Sequence, residues 1–217
     1  MARYYKYIGM GVTNSIRYKR TKDIFENSRL YMGHYSEMND PMEALYMGNN
    51  LTKAEIEKVR QGKPNIRMCC LSKSYSDVLL WAHYAEDHKG ICIEVEVVDP
   101  DCEEININYE KILYRPQKYS SDIINKILSH KLIPWQNEQE IRYLRSLHIG
   151  SHTIEFLKVR ITKVYVGCLL EQSDFNKYKK RIEKWLEDNH HPVVHIIHMQ
   201  RRDLTYWNGS ENTYLLP

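Results

Sequence analysis

The stretch WAHYAEDHKGICIEVEV, residues 81–97, is where the fold class is decided. Its first half has the aromatic and apolar spacing of a short helix, expected to run through DVLLWAHYAEDHK with Ser76 as its cap and Gly90 as its stop. Its second half alternates. Ile91, Ile93, Val95 and Val97 fall on one face of a strand, and Cys92, Glu94 and Glu96 on the other. A helix that runs straight into such a strand, in a chain with no GxGxxG or GxxxxGK[ST], does not read as a βαβ unit.

Elements on either side mix in the same irregular way. A helix is expected around Lys22 to Ser28, followed by a short strand near Leu30 to Met32 and a loop in which Asn39, Asp40 and Pro41 make a turn. Glu43, just beyond Pro41, is expected to open a helix where its charge suits the dipole. Thr52 and Glu55 form a capping box, with Gly62 placed to end that helix. MCCLS reads as a buried strand and INYEKILYR as another. SSDIINKILSHKL reads as a helix with Ile123, Ile124, Ile127 and Leu128 inward. VRITKVYVG is a strand, and SDFNKYKKRIEKWLEDN a helix with Phe175, Tyr178, Ile182, Trp185 and Leu186 on one stripe. VVHIIHM closes the set as a strand. The expected architecture is α+β: a mixed, mainly antiparallel sheet with flanking helices in a single domain over 1–217.

Composition narrows the class. The 217 residues are 42% hydrophobic, enough for a real core, and no apolar run has the length of a membrane span or the form of a signal peptide. A soluble, cytoplasmic protein without membrane partners is expected. The net charge of +3 comes without any block of like charge, so no nucleic-acid arm is indicated. The five cysteines include no CxxC pair, which argues against a disulfide framework and a zinc knuckle. Seventeen Tyr against three Phe favour half-buried surfaces where rings pack and hydroxyls stay bonded.

Candidate chemistry comes down to a few clusters. His83 and His88 are five apart, a turn of about 500° on a helix, so they do not share a ligand face. In HHPVVHIIHM, His195 and His198 fall on opposite faces of a strand. No metal is therefore assigned. Cys92, opposite the apolar face of its strand, could face a groove, but nothing beside it marks an activated thiol. The acids of WQNEQEIRYL are more informative. In a strand, Glu138, Glu140 and Arg142 share one face; in a helix, Glu138 and Arg142 form an i, i+4 pair and Glu140 points elsewhere.

Taken in order, YKY (5–7), NDPME (39–43), CLS (70–72), WAHYAEDHKGICIEV (81–95), WxxExEIR (135–142) and ITKVYVG (161–167) resemble the bacterial family called domain of unknown function 2971. That resemblance implies that the NDP turn, the WAHYA segment and the E-x-E-x-R segment serve one site, but supplies no chemistry. Behind it lies a likeness to ADP-ribosyltransferases, including bacterial toxins that modify nucleic acid. This likeness implies an ADP-ribosyltransferase-like fold and NAD as substrate. It also implies transfer of ADP-ribose to a protein or nucleic-acid acceptor in a toxin or phage-defence setting. Glu140 and Glu138, steadied by Arg142, would then be catalytic and would stabilise an oxocarbenium-like transition state. Tyr7, Asn39, Asp40, Ser72, Trp81, His83 and Tyr84 would bind the nucleotide. The first-strand arginine of such enzymes has no clear counterpart, only Arg3 being near while Lys6 stands within YKY. The competing reading is a non-catalytic ligand-sensing or interaction domain in which Asn39, Asp40, Glu138 and Arg142 form a polar network; a metal-dependent nuclease stands third.

Overall fold

The computed structural model describes residues 2–148, 150–151, 153–187 and 193–214. In chain order the elements are β1 (Tyr4–Ile8), α1 (Ile16–Asn27), β2 (Arg29–Met32), α2 (Lys53–Gly62), β3 (Ile66–Ser72) and α3 (Val78–Tyr84). Then come β4 (Ile91–Val97), β5 (Glu103–Asn106), β6 (Asn108–Glu110), α4 (Ile123–Leu128), β7 (His130–Leu132) and β8 (Glu140–Ser146). The last are β9 (Glu155–Val166), α5 (Gln172–Glu187), β10 (His195–His198), β11 (Thr205–Trp207) and β12 (Asn212–Tyr214). The fold is α+β with a mainly antiparallel, multi-stranded sheet and several helices. The chain forms two compact units: Met1–Leu30, Leu71–Asp99 and Lys158–Pro217 make the first, Tyr31–Cys70 and Pro100–Leu157 the second.

In the first unit the strands run β10-β9-β4-β1. β10 is parallel to β9, while β9, β4 and β1 are antiparallel. Tyr5 lies opposite Glu94 on one side and Ser72, at the end of β3, on the other. The alternation of β4 is as read, yet both of its faces are buried. Cys92 is fully buried, correcting the expectation that it could face a groove. It packs into a cluster with Tyr7, Leu80, Trp81, Ala85 and Tyr165, because α3 covers that face. The buried Glu94 is paired rather than hydrated: Thr162 donates at 2.7 Å and the Tyr5 and Tyr165 hydroxyls each at 3.3 Å. Such pairing is what lets a carboxylate sit inside a sheet. On another side Phe25 of α1 stacks on Trp185 of α5, their centroids 5.7 Å apart.

Several local expectations need correction here. α1 begins at Ile16, capped by the Ser15 hydroxyl, six residues before the expected start; its first turn, Ile16 to Lys19, has no apolar periodicity to announce it. α3 is capped by Asp77, whose Oδ1 accepts from Leu79 and Leu80 N–H at 3.0 Å, while the Ser76 hydroxyl pairs with that of Thr205. The helix ends at Tyr84, well before Gly90. What ends it is a left-handed run, Glu86, Asp87 and His88, with φ of 49°, 51° and 64°. Gly90 serves packing instead: a Cβ there would lie 2.5 Å from the Ile8 carbonyl oxygen.

In the second unit β3, β8 and β5 are neighbours in that order, with Ile105 opposite Arg142, and the short β6 and β7 pair in parallel. Its core is built by Val59, Ile66, Met68, Ile123, Ile127, Leu128 and Leu144. α2 has the expected capping box and ends at Gly62. Residues 111–115, expected to prolong a strand, leave the ladder after Glu110, and Ile112 is exposed. Glu43 begins no helix; it lies in a turn, and its carboxylate is taken by Arg142.

Candidate functional site

WQNEQEIRYL turns out to be neither all helix nor all strand. Residues Ile133–Glu138 form a 3₁₀ turn, Gln139 takes the left-handed conformation with φ 45°, and β8 starts at Glu140. The kink at Gln139 lets carboxylates on either side of it converge on one ammonium. Lys131 of β7 donates to Glu138 and, at 3.1 Å, to Glu140. Arg142 donates through Nε to Glu140 Oε1 at 2.8 Å and through Nη2 to Oε2 at 3.1 Å. Its fork also closes on Glu43, with both distances 2.7 Å, and Nη1 reaches the Leu128 carbonyl at 2.6 Å. The Tyr109 hydroxyl accepts from the Glu140 backbone N–H at 2.8 Å.

All five charged members are buried, Arg142 completely. Burial pushes the Glu140 carboxyl up, but Arg142 and Lys131 outweigh it and hold the pKa at about 2. Burial pulls Lys131 down, and Glu140 and Glu138 raise it past its ordinary value. Burial raises Tyr109. Both oxygens of Glu140 are engaged by cations. Chemically it can tie β7, β8 and the NDP turn together. Within that turn Asp40 Oδ1 accepts from the Met42 N–H at 2.8 Å, as expected of an Asx device, and Asn39 is exposed.

Residues named for the nucleotide separate by unit. Asn39 and Asp40 belong to the second; Tyr7, Ser72, Trp81, His83 and Tyr84 belong to the first. Trp81 is 1% exposed, donates through its indole N–H to the Tyr75 carbonyl at 2.8 Å and meets the Tyr7 ring edge-on. Its role is in the core. Ser72 is buried, its hydroxyl accepting from the Ser74 N–H at 3.0 Å. Tyr7, His83 and Tyr84 do come together, lining a cleft of about 390 Å³ with Ile8, Gly9, Arg17, Ala82, Glu86 and Asp87. Burial raises Tyr7 well above the ordinary tyrosine value, and its hydroxyl donates to the Ser74 carbonyl at 2.9 Å. His83, at the end of α3, is exposed at the rim.

Sequence reasoning missed Lys131, whose neighbours in SHKLIPW carry no polar pattern, and the pairing role of Glu43. It also missed Arg17 and Glu86, which are 69 positions apart and meet at 3.1 Å. Among the described residues no group of three or more His, Cys, Asp or Glu could hold a metal; His190 and His191 lie outside them. Among the described residues, too, no helix is long and apolar enough to cross a membrane.

Residues 80–143 match the family model described as protein of unknown function (DUF2971). The match takes in the WAHYA segment, β4 and the E-x-E-x-R segment, and stops short of the YKY, NDPME, CLS and ITKVYVG motifs. No curated protein and no solved structure matches the chain, and the likeness to ADP-ribosyltransferases gains no support from these comparisons.

Proposed function

We propose that this protein is a ligand-binding domain whose site is the cleft of the first unit, and that it senses a small nucleotide-like molecule rather than transforming it. One observation carries this reading. Three residues named from the sequence for nucleotide binding, Tyr7, His83 and Tyr84, line one cleft, whose volume of about 390 Å³ falls at the small end of the range for small-molecule pockets. Tyr84 supplies a ring for stacking, and His83 and Arg17 supply donors for a polar or anionic group. The burial of Glu138 and Glu140 in ion pairs supports binding over ADP-ribose transfer, since a carboxylate that steadies a ribose must reach it.

The test is equilibrium binding of AMP and NAD to the whole chain, beside His83→Gln, with nicotinamide release followed in the same samples. Saturable binding that weakens in the variant at an unchanged melting temperature is the expected outcome. Release of nicotinamide by the wild type would put the transferase reading ahead. Absence of binding to either nucleotide would sink the cleft as a nucleotide site.

A further inference from the structure

We infer that the Glu86 carboxylate is a built-in occupant of an anion subsite in this cleft, and that the phosphoryl group of the ligand displaces it. The inference rests on the cleft being a ligand site. Three donors converge on this one carboxylate. The Met10 N–H reaches Glu86 Oε2 at 3.1 Å, the Gly11 N–H reaches Oε1 at 3.0 Å, and Arg17 Nη1 reaches Oε1 at 3.1 Å. Two successive backbone N–H groups and a guanidinium are the donor set that phosphoryl oxygens use. The space the carboxylate fills exists because residue 9 is glycine: a Cβ there would lie 2.6 Å from Glu86 Cγ. Gly11, with φ +68°, holds the turn that aims both N–H groups one way.

Glu86 opens the left-handed run through His88, a conformation that non-glycine residues adopt at a cost in steric energy. Its side chain is 26% exposed and that of Arg17 61%, so an anion entering from solvent meets the guanidinium first. His83, Tyr84 and Tyr7 line the remainder of the cleft, where a base or sugar attached to that phosphoryl group would lie. Glu86 thus sets a threshold. The apparent affinity of a phosphorylated ligand is reduced by the fraction of molecules in which the carboxylate is in place.

Calorimetric titration of the whole chain with pyrophosphate, AMP and adenosine, in wild type, Glu86→Gln and Glu86→Gln/Arg17→Met, separates the possibilities. Pyrophosphate or AMP should bind Glu86→Gln about tenfold more tightly than wild type, as expected when the charge that keeps the occupant on its donors about nine-tenths of the time is removed. Adenosine should bind both alike, and adding Arg17→Met should abolish the gain. A gain for pyrophosphate alone marks a free phosphate as the ligand and a gain for AMP a nucleotide; both sustain the displacement. Should pyrophosphate, AMP and adenosine each bind wild type and Glu86→Gln equally, the cleft stands and the displacement fails, leaving Glu86 as a tie between loops. If no probe binds any form, the cleft reading itself falls and this inference with it. A readout independent of the variants is the amide resonances of Met10 and Gly11 in the wild type, which should move on saturation with pyrophosphate or AMP; resonances that stay put as either binds would overturn the displacement.

Discussion

At the scale of single residues, the two acids most deeply set in β strands, Glu140 and Glu94, sit among different neighbours. Glu140 keeps its pKa at about 2 because two cations face it, against a desolvation that alone would raise it. The sign follows: a carboxylate held below its ordinary 4.5 contributes stability that is full above that pH and is lost as pH falls toward about 2. Acid titration followed by near-UV circular dichroism should therefore show unfolding within that window, and Glu140→Gln should flatten the slope there. Glu94 acts on its neighbours instead. Burial, then the Glu94 charge, raise the Tyr5 hydroxyl from 10 to about 12. Its contribution is full below pH 10 and is lost as pH rises through about 12. Absorbance titration at the phenolate band should find Tyr5 ionising about two units late, and Glu94→Gln should bring it earlier. A wild-type Tyr5 that titrates near 10 would contradict the pairing.

At the scale of elements, periodic and capped segments were legible and the turns between them were not. β4 and α5 declared themselves by alternation and by an apolar stripe, and Phe175, Ile182, Trp185 and Leu186 are indeed the buried residues of α5. α2 is legible because Thr52 and Glu55 satisfy each other locally. The end of α3 is not legible, because contacts from beyond the helix decide it. The Leu169 N–H donates to the His88 carbonyl at 3.1 Å, and the His88 N–H to the Trp81 carbonyl at 3.2 Å; nothing in AEDHKG announces either partner. That junction supplies a sharp prediction. A Cβ on Gly167 would stand 2.0 Å from the His88 carbonyl oxygen, a backbone atom that cannot rotate away. Gly167→Ala should cost on the order of 1–3 kcal/mol, the usual penalty for overpacking. Thermal unfolding checks this, and an unchanged melting temperature would mean the left-handed run yields easily.

At the scale of the whole molecule, the α+β class and the antiparallel bias were readable because the strands are separated by irregular helices. The partners of Arg142 were not readable. Glu140, two positions before it on one strand face, could be inferred, but Glu43 and Lys131 reach it or its partners from sequence separations that no local rule specifies. The cluster sets three carboxylates, Glu43, Glu138 and Glu140, against two cations, Lys131 and Arg142, a formal charge of one negative. This buried network ties the elements of the second unit together. Its most direct test is urea unfolding of Arg142→Met, which keeps much of the side-chain volume and strands three buried carboxylates beside one ammonium. We expect the unfolding free energy to fall by about 3–5 kcal/mol, the typical cost of removing one partner from a buried ion pair. A variant with the unfolding midpoint and slope of the wild type would contradict the account.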